Sequence, residues 1–287
     1  MNEFGIILID KPAGITSFDV VKNIRKITNI RKVGHTGTLD PFASGLLPVC
    51  IGKATRIADK LSSKDKEYIV TMKLGIKTNT GDKTGKIIEE KEIPEFKTNE
   101  LKQIIPDILI ISEQIPPKFS AVKINGKRAY ELARKDEKIS LKARPIKILN
   151  FEILKYKHPF ISYKTKVSKG TYIRALSETF AEKLGEIATT WELRRTKIGK
   201  LDVHNSIKLE ELTQENWKNY LHSIAYILPD FPRINLKKEE IESFQNGRFL
   251  TVTETNQNEI MVLDEEKKCI GFAEIQNNIF KPKMVLI

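Results

Sequence analysis

Gly34-His35-Thr36-Gly37-Thr38-Leu39-Asp40-Pro41-Phe42-Ala43-Ser44-Gly45-Leu46-Leu47 is the most informative stretch of the chain. Gly34, Gly37 and Pro41 punctuate a tight loop, and His35 and Asp40 are its ionisable groups. The residue before a proline is pushed toward extended backbone, so the Asp40 carboxylate is free to project from the loop instead of joining a helix. Capping a turn is the commoner use of an aspartate beside proline and glycine, and spacing alone favours that role. The loop has no Gly-x4-Gly-Lys-Ser/Thr run to cradle phosphate, and the chain has no HExxH, GxSxG or catalytic-type cysteine context.

Outward from the loop, the pattern mixes strands and helices. Residues 4–9 form a short apolar run that reads as a strand, broken by Lys11-Pro12-Ala13-Gly14. Ser17 is placed to N-cap a helix whose Val20, Ile24 and Ile27 keep one face. Residues 46–51 read as a buried strand and 55–61 as a helical turn or two. Over 66–74, Tyr68, Val70, Met72 and Leu74 alternate with Ile69, Thr71 and Lys73, the signature of a half-buried strand. Residues 161–167 alternate likewise. Gly170 ends that run, and 171–184 read as a helix with Ile173, Leu176, Phe180 and Leu184 inward. Without strict βαβ alternation the class is α+β. Pro229 to Pro232 reads as a linker. Beyond it come a helix over 237–245, strands over 249–253, 259–263 and 269–275, and a last strand near Met284, a β-rich unit small enough to be weakly stable alone.

The composition, 40% hydrophobic and 30% charged over 287 residues, is that of a globular domain and too apolar for wholesale disorder. No apolar run approaches a membrane span, and the start of the chain, with Glu3 and a brief apolar stretch, does not read as a signal peptide. Cys50 and Cys269 make no CxxC pair and the four histidines are scattered, so no metal site is expected and a reduced, cytoplasmic setting is the default. The charge is uneven. The whole chain carries +12, while residues 233–287 hold 8 basic and 9 acidic residues. Residues 118–147 hold 10 basic and 3 acidic residues, a field that acts locally on a polyanion such as nucleic acid.

The loop resembles the signature of the bacterial tRNA pseudouridine-55 synthases, the TruB family, and four further blocks agree in order. These are Leu8-Ile9-Asp10-Lys11-Pro12-Ala13-Gly14-Ile15-Thr16-Ser17; Lys66-Glu67-Tyr68 leading to Leu74-Gly75; Gln114-Ile115-Pro116-Pro117-Lys118-Phe119-Ser120-Ala121-Val122-Lys123 with Gly126 and Ala129-Tyr130; and Ser168-Lys169-Gly170-Thr171-Tyr172-Ile173-Arg174 with Leu193-Arg194-Arg195-Thr196. The resemblance covers roughly residues 5 to 200. Phe119 stands where the family often has tyrosine, Thr179-Phe180 replaces a common Asp-Leu pair, and Ala188 to Trp191 is atypical.

The resemblance implies a pseudouridine-synthase fold: a mixed, mainly antiparallel central sheet with flanking helices and loops, in a catalytic domain over 1–230. A basic thumb insertion would occupy about 116–147, and 231–287 would form a small PUA-like domain. It implies that Asp40 is the catalytic aspartate, Arg174 its paired arginine and Tyr68 the ring stacked on the target uracil. Tyr172 falls on a second site tyrosine, Leu193 on the pocket leucine and His35 on a histidine that fills space among displaced bases. Lys11 is placed beside the substrate-binding residues, although with Pro12 it looks more like a support for the loop. Lys123, Lys127 and Arg128 of the thumb would hold the T arm of tRNA. No cofactor, metal or obligatory protein partner is implied, and the protein is expected to be a cytoplasmic monomer.

The chemistry asks for such a set. Pseudouridine formation breaks N1–C1′, turns the base and rejoins it through C5, which needs an ionised carboxylate and a wall to replace lost stacking. A non-catalytic tRNA-folding factor would share the scaffold, and help with folding is compatible with turnover. A guide-RNA-dependent relative fits less well, because no lengthy basic extension is seen.

Overall fold

In the computed structural model residues 3–287 are described, except Asn125, Arg134, Asp136, Lys138 and Glu254. Three charges of the basic segment, Arg134, Asp136 and Lys138, therefore lie outside the described residues. The first strands are β1 (Gly5–Lys11), β2 (Val33–His35), β3 (Ser44–Ile51) and β4 (Lys66–Leu74). Across the central sheet the order is Ile148–Lys157, Phe160–Val167, β4, Ala188–Ile198, β3, β1 and Ile207–Lys208. Pairing along this path is antiparallel except where Ala188–Ile198 meets β3 and where β1 meets Ile207–Lys208. This is the mixed, mainly antiparallel sheet that the family resemblance implies.

β1 and β3 are apolar on both faces because each separates two cores. Ile7 and Ile9 of β1, with Leu47, Val49 and Ile51 of β3, enter the larger core beneath the helices. Ile6, Leu8, Leu46 and Cys50 point the other way, against Met261, Leu263, Phe272 and Leu286 of the C-terminal sheet. That second sheet runs Arg233–Asn235, Gln257–Leu263, Cys269–Gln276, Ile279–Val285 and Leu250–Thr251, with the helix Lys238–Gln245 beside it. Polar ties cross the same seam. Lys60 ion-pairs with Glu259 and lies 4.4 Å from the Phe272 ring centroid. The C-terminal unit thus completes its core with side chains of the first.

Several sequence expectations shift. Thr16, not Ser17, N-caps the helix α1 (Ser17–Thr28), through a capping box with Asp19. The helix predicted over 171–184 begins at Ile173, with Tyr172 as N-cap. Two sheet strands, Ile148–Lys157 and Ala188–Ile198, were not predicted. The first is an edge strand with mixed burial; the second carries bulges that interrupt its alternation. The short strand predicted over 249–253 is only Leu250–Thr251.

The parallel pairing of Gly45 with Arg195 brings the loop strand against the far side of the sheet. Gly45 has φ +107°, and a Cβ there would lie 2.2 Å from the Arg195 carbonyl oxygen. Gly45→Ala is therefore expected to cost about 3 kcal/mol or more, combining backbone strain with a main-chain clash. Urea unfolding measures it; an unchanged midpoint would mean that the two strands do not approach so closely.

Candidate active site

The loop bearing Asp40 joins β2 to β3, which pair as a hairpin with His35 opposite Val49. A connection of this kind has many main-chain groups without ladder partners, and buried ones must be satisfied by other means. Side chains do it here. The Ser17 hydroxyl accepts from Leu39 N at 2.9 Å and donates to Leu39 O at 3.0 Å. Arg195, 2% exposed, donates from Nε to Leu46 O and from a terminal nitrogen to Gly37 O. Lys11 is wholly buried, and its Nζ donates to the carbonyls of Pro12, Ile15 and Pro41. The ammonium is thus engaged by carbonyls of the loop it supports. Burial lowers its pKa to about 8, against the attraction of Asp40. Neither Arg194 nor Arg195 faces freely into solvent. Instead, Arg195 pins the loop and Arg194 grips Asp10 in a two-pronged pair at 2.6 and 2.9 Å.

The loop closes its own turn through main chain, Ala43 N–H to Asp40 C=O. The Asp40 side chain is left for another partner. Arg174 Nε lies 2.9 Å from Asp40 Oδ2. The arginine is 3% exposed, whereas the Asp40 side chain keeps 34% open. The remaining guanidinium nitrogens donate to Thr80 O at 2.7 Å and Phe119 O at 2.8 Å, and Asp82 Oδ2 stands 3.9 Å away. One side chain thus joins the aspartate loop, the loop after β4 and the base of the thumb. Its own position is set by the start of helix Ile173–Lys183. There the Gln114 amide donates to Tyr172 O and accepts from Tyr172 N.

Tyr68 lies on β4, buried, with Val70 and Leu193 in the same core. It pairs across the strands with Arg195 and interacts with that guanidinium. Leu193 is 7% exposed, and Tyr172 is half-buried. His35 is half-buried; its Nδ1 has no hydrogen-bond partner among the described residues. Burial, then Arg195 and Arg128, hold its pKa below the ordinary value, so the ring is neutral at pH 7. Lys123–Ile124 and Lys127–Arg128 form a small hairpin with Lys123, Lys127 and Arg128 exposed.

Ser17, Asp82, Gln114 and Arg195 matter to this site and were not singled out for it in the sequence. Asp82 sits in Thr80-Gly81-Asp82-Lys83-Thr84-Gly85, which reads as an ordinary surface turn. Its carboxylate accepts from Thr84 N while facing Arg174. Among the described residues no group of three or more His, Cys, Asp or Glu side chains could hold a metal ion, and no helix is long and apolar enough to cross a membrane.

The loop thus holds a partly open aspartate against a buried arginine. Residues 25–173 match the family model for the N-terminal domain of TruB family pseudouridylate synthases, and 232–286 match the model for the C-terminal part of pseudouridine synthase II TruB. The chain is 40% identical to the tRNA pseudouridine synthase B of Clostridium tetani, over 99% of both chains. It is 47% identical to that of Clostridium novyi, over 85% of this chain and 84% of the relative. Among solved structures it superposes on a chain of a Cbf5–Nop10–Gar1 complex with TM-score 0.74 and 25% identity, covering 99% of this chain and 85% of that one. The chain belongs to the TruB family of pseudouridine synthases.

Loss of solvent pushes the Asp40 carboxyl above its usual value; Arg174 opposes, Asp82 adds to the rise and Lys11 opposes. A reacting carboxylate is present above that pKa and lost as pH falls through it. Asp82→Asn removes a like charge and keeps the acceptor for Thr84, so the acid limb of kcat/KM against pH is expected to move to lower pH. A limb that stays put or moves upward would contradict the arrangement.

Proposed function

We propose that this protein isomerises uridine 55 in the T loop of tRNA to pseudouridine. The observation that carries the reading is the Asp40–Arg174 pair, in which the cation is buried and the carboxylate, largely shielded from water, keeps part of its surface open. An ion pair built for stability alone would have no reason to keep the acid open. The names of the relatives, tRNA pseudouridine synthases, supply the substrate class. The site residues supply the chemistry.

In this reading the uridine leaves its stack and enters between Tyr68 and Leu193, whose apolar surfaces replace the lost base stacking. Tyr172 borders the same hollow, and neutral His35 takes up space among the displaced loop bases. Asp40, held ionised and oriented by Arg174, promotes cleavage of N1–C1′. The uracil turns, C5 bonds to C1′, the C5 proton goes to solvent, and N1 takes a proton. Three buried polar atoms on the segments around the pair, His35 Nδ1, Thr36 Oγ1 and Ser120 Oγ, have no hydrogen-bond partner among the described residues. Buried polar groups need partners, and RNA would provide them. The catalytic unit spans residues 1–230 with its thumb at about 116–147, followed by a PUA-like unit at 231–287. The enzyme acts as a cytoplasmic monomer, without a protein partner or cofactor.

Release of tritium from T-arm RNA carrying 5-tritiated uridine tests the reaction. The native chain is expected to release it and Asp40→Asn to lower the rate by about 10⁴-fold or more; equal rates would remove Asp40 from its role. Replacing Lys123, Lys127 and Arg128 together by Gln is expected to weaken binding and to flatten the dependence of log K on log salt by about 2–3. An unchanged slope would detach the thumb from RNA binding.

A further inference from the structure

The first turns of α1 carry a feature that the reaction does not use. Phe18 is 52% exposed, although it is a large aromatic ring on a helix otherwise well buried on its inner face. One and two turns further along the same face lie Lys22, with Nζ 5.0 Å from the Phe18 ring centroid, and Arg25, with Cζ at 5.9 Å. Arg25 is not loose: it donates to the carbonyl of Val33, at the start of the strand that ends in His35. Ser17, next to Phe18, exchanges two hydrogen bonds with Leu39, next to Asp40. The chain beside the ring is therefore tethered, through the Ser17 hydroxyl, to the loop that holds the carboxylate, and Arg25 reaches the strand that holds His35, while Lys22 lies 3.5 Å from Asp19 of its own helix.

An exposed aromatic ring flanked by two cations is the composition of a base-stacking subsite in proteins that hold single-stranded nucleic acid. The charge around it favours a polyanion over a protein. The helix ends at a basin of about 830 Å³ whose lining includes Lys26, Arg31, Lys32, Lys53 and Lys218, with Glu3 as the acid among its described lining residues. Cations thus outnumber acids from α1 to the basin: Asp19, paired with Lys22, is the acid on the helix, and Glu3, paired with Lys218, is the acid of the basin.

We infer that Phe18, with Lys22 and Arg25, forms a second stacking subsite on the rim of the site, taking an unpaired RNA base other than the target uridine. The inference rests on the proposed RNA substrate. An unpaired loop base that leaves its stack when the target is extruded needs a new apolar face, and the Phe18 ring offers one. Lys22 and Arg25 lie close enough to meet the phosphate beside that base. The subsite would contribute to selection of RNA by its loop, separately from the chemistry at Asp40.

The test uses the full chain and T-arm hairpins that keep the target uridine and carry 2-aminopurine at each other unpaired loop position in turn. At one position the native protein is expected to quench the fluorescence by stacking. Phe18→Tyr and Phe18→Trp should preserve the quenching. Phe18→Ala and Phe18→Leu should abolish it and weaken binding roughly 5- to 150-fold, with KM rising more than kcat falls. Melting temperature checks that each variant is folded. If Phe18→Leu binds and quenches like the native chain, or if no position responds to Phe18→Ala, the stacking subsite is overturned. Native protein that neither binds nor converts any hairpin would instead count against the RNA substrate itself.

Discussion

The Arg174 guanidinium is the point on which the site depends. Its planar set of donors reaches Asp40, the Thr80 carbonyl and the Phe119 carbonyl, three segments far apart in the chain. A lysine could supply the charge but not three directed contacts from one plane. The residue is almost fully buried, so with Asp40 neutralised its charge would rest on Asp82 and the two carbonyls alone. Because the thumb base and the aspartate share one cation, a shift of either is felt by the other.

Around that pair, the aspartate loop is fixed by polar side chains from elsewhere in the fold. Lys11 satisfies three carbonyls, Arg195 satisfies others, and the Ser17 hydroxyl closes a reciprocal pair with Leu39. Each of these groups lies in the interior, where an unmade hydrogen bond is expensive. The loop is thereby held before substrate arrives, which is the arrangement that favours a reaction dependent on orientation. Apolar packing does the coarser work. β1 and β3 fill one core beneath the helices and a second against the C-terminal sheet, so the strands flanking the loop are immobilised on both faces.

What the sequence revealed follows the same division. Period-two burial on β4 and the apolar stripe of α1 are local patterns, and both are legible from residue order alone. Ala188–Ile198 is not, because bulges beside Thr190 and Arg195 interrupt its alternation and polar residues such as Thr189 and Thr190 are buried in it. Asp40 stands out by its motif, but its pairing with Arg174 is a contact across the fold that no spacing encodes. Arg195 and Lys11 prove buried, and nothing local reveals that their charges are matched to loop carbonyls. Asp82 and Gln114 were hidden for the opposite reason: turn residues and thumb residues of their kind usually face solvent.

The most direct measurement is the structure of the chain bound to T-arm RNA with 5-fluorouridine at the target position. The expected result places the fluorinated base between Tyr68 and Leu193, with C1′ or C6 against the Asp40 carboxylate and the contact from Arg174 to that carboxylate kept. A nucleoside bound elsewhere, or an Asp40 carboxylate turned away from both the sugar and Arg174, would contradict it.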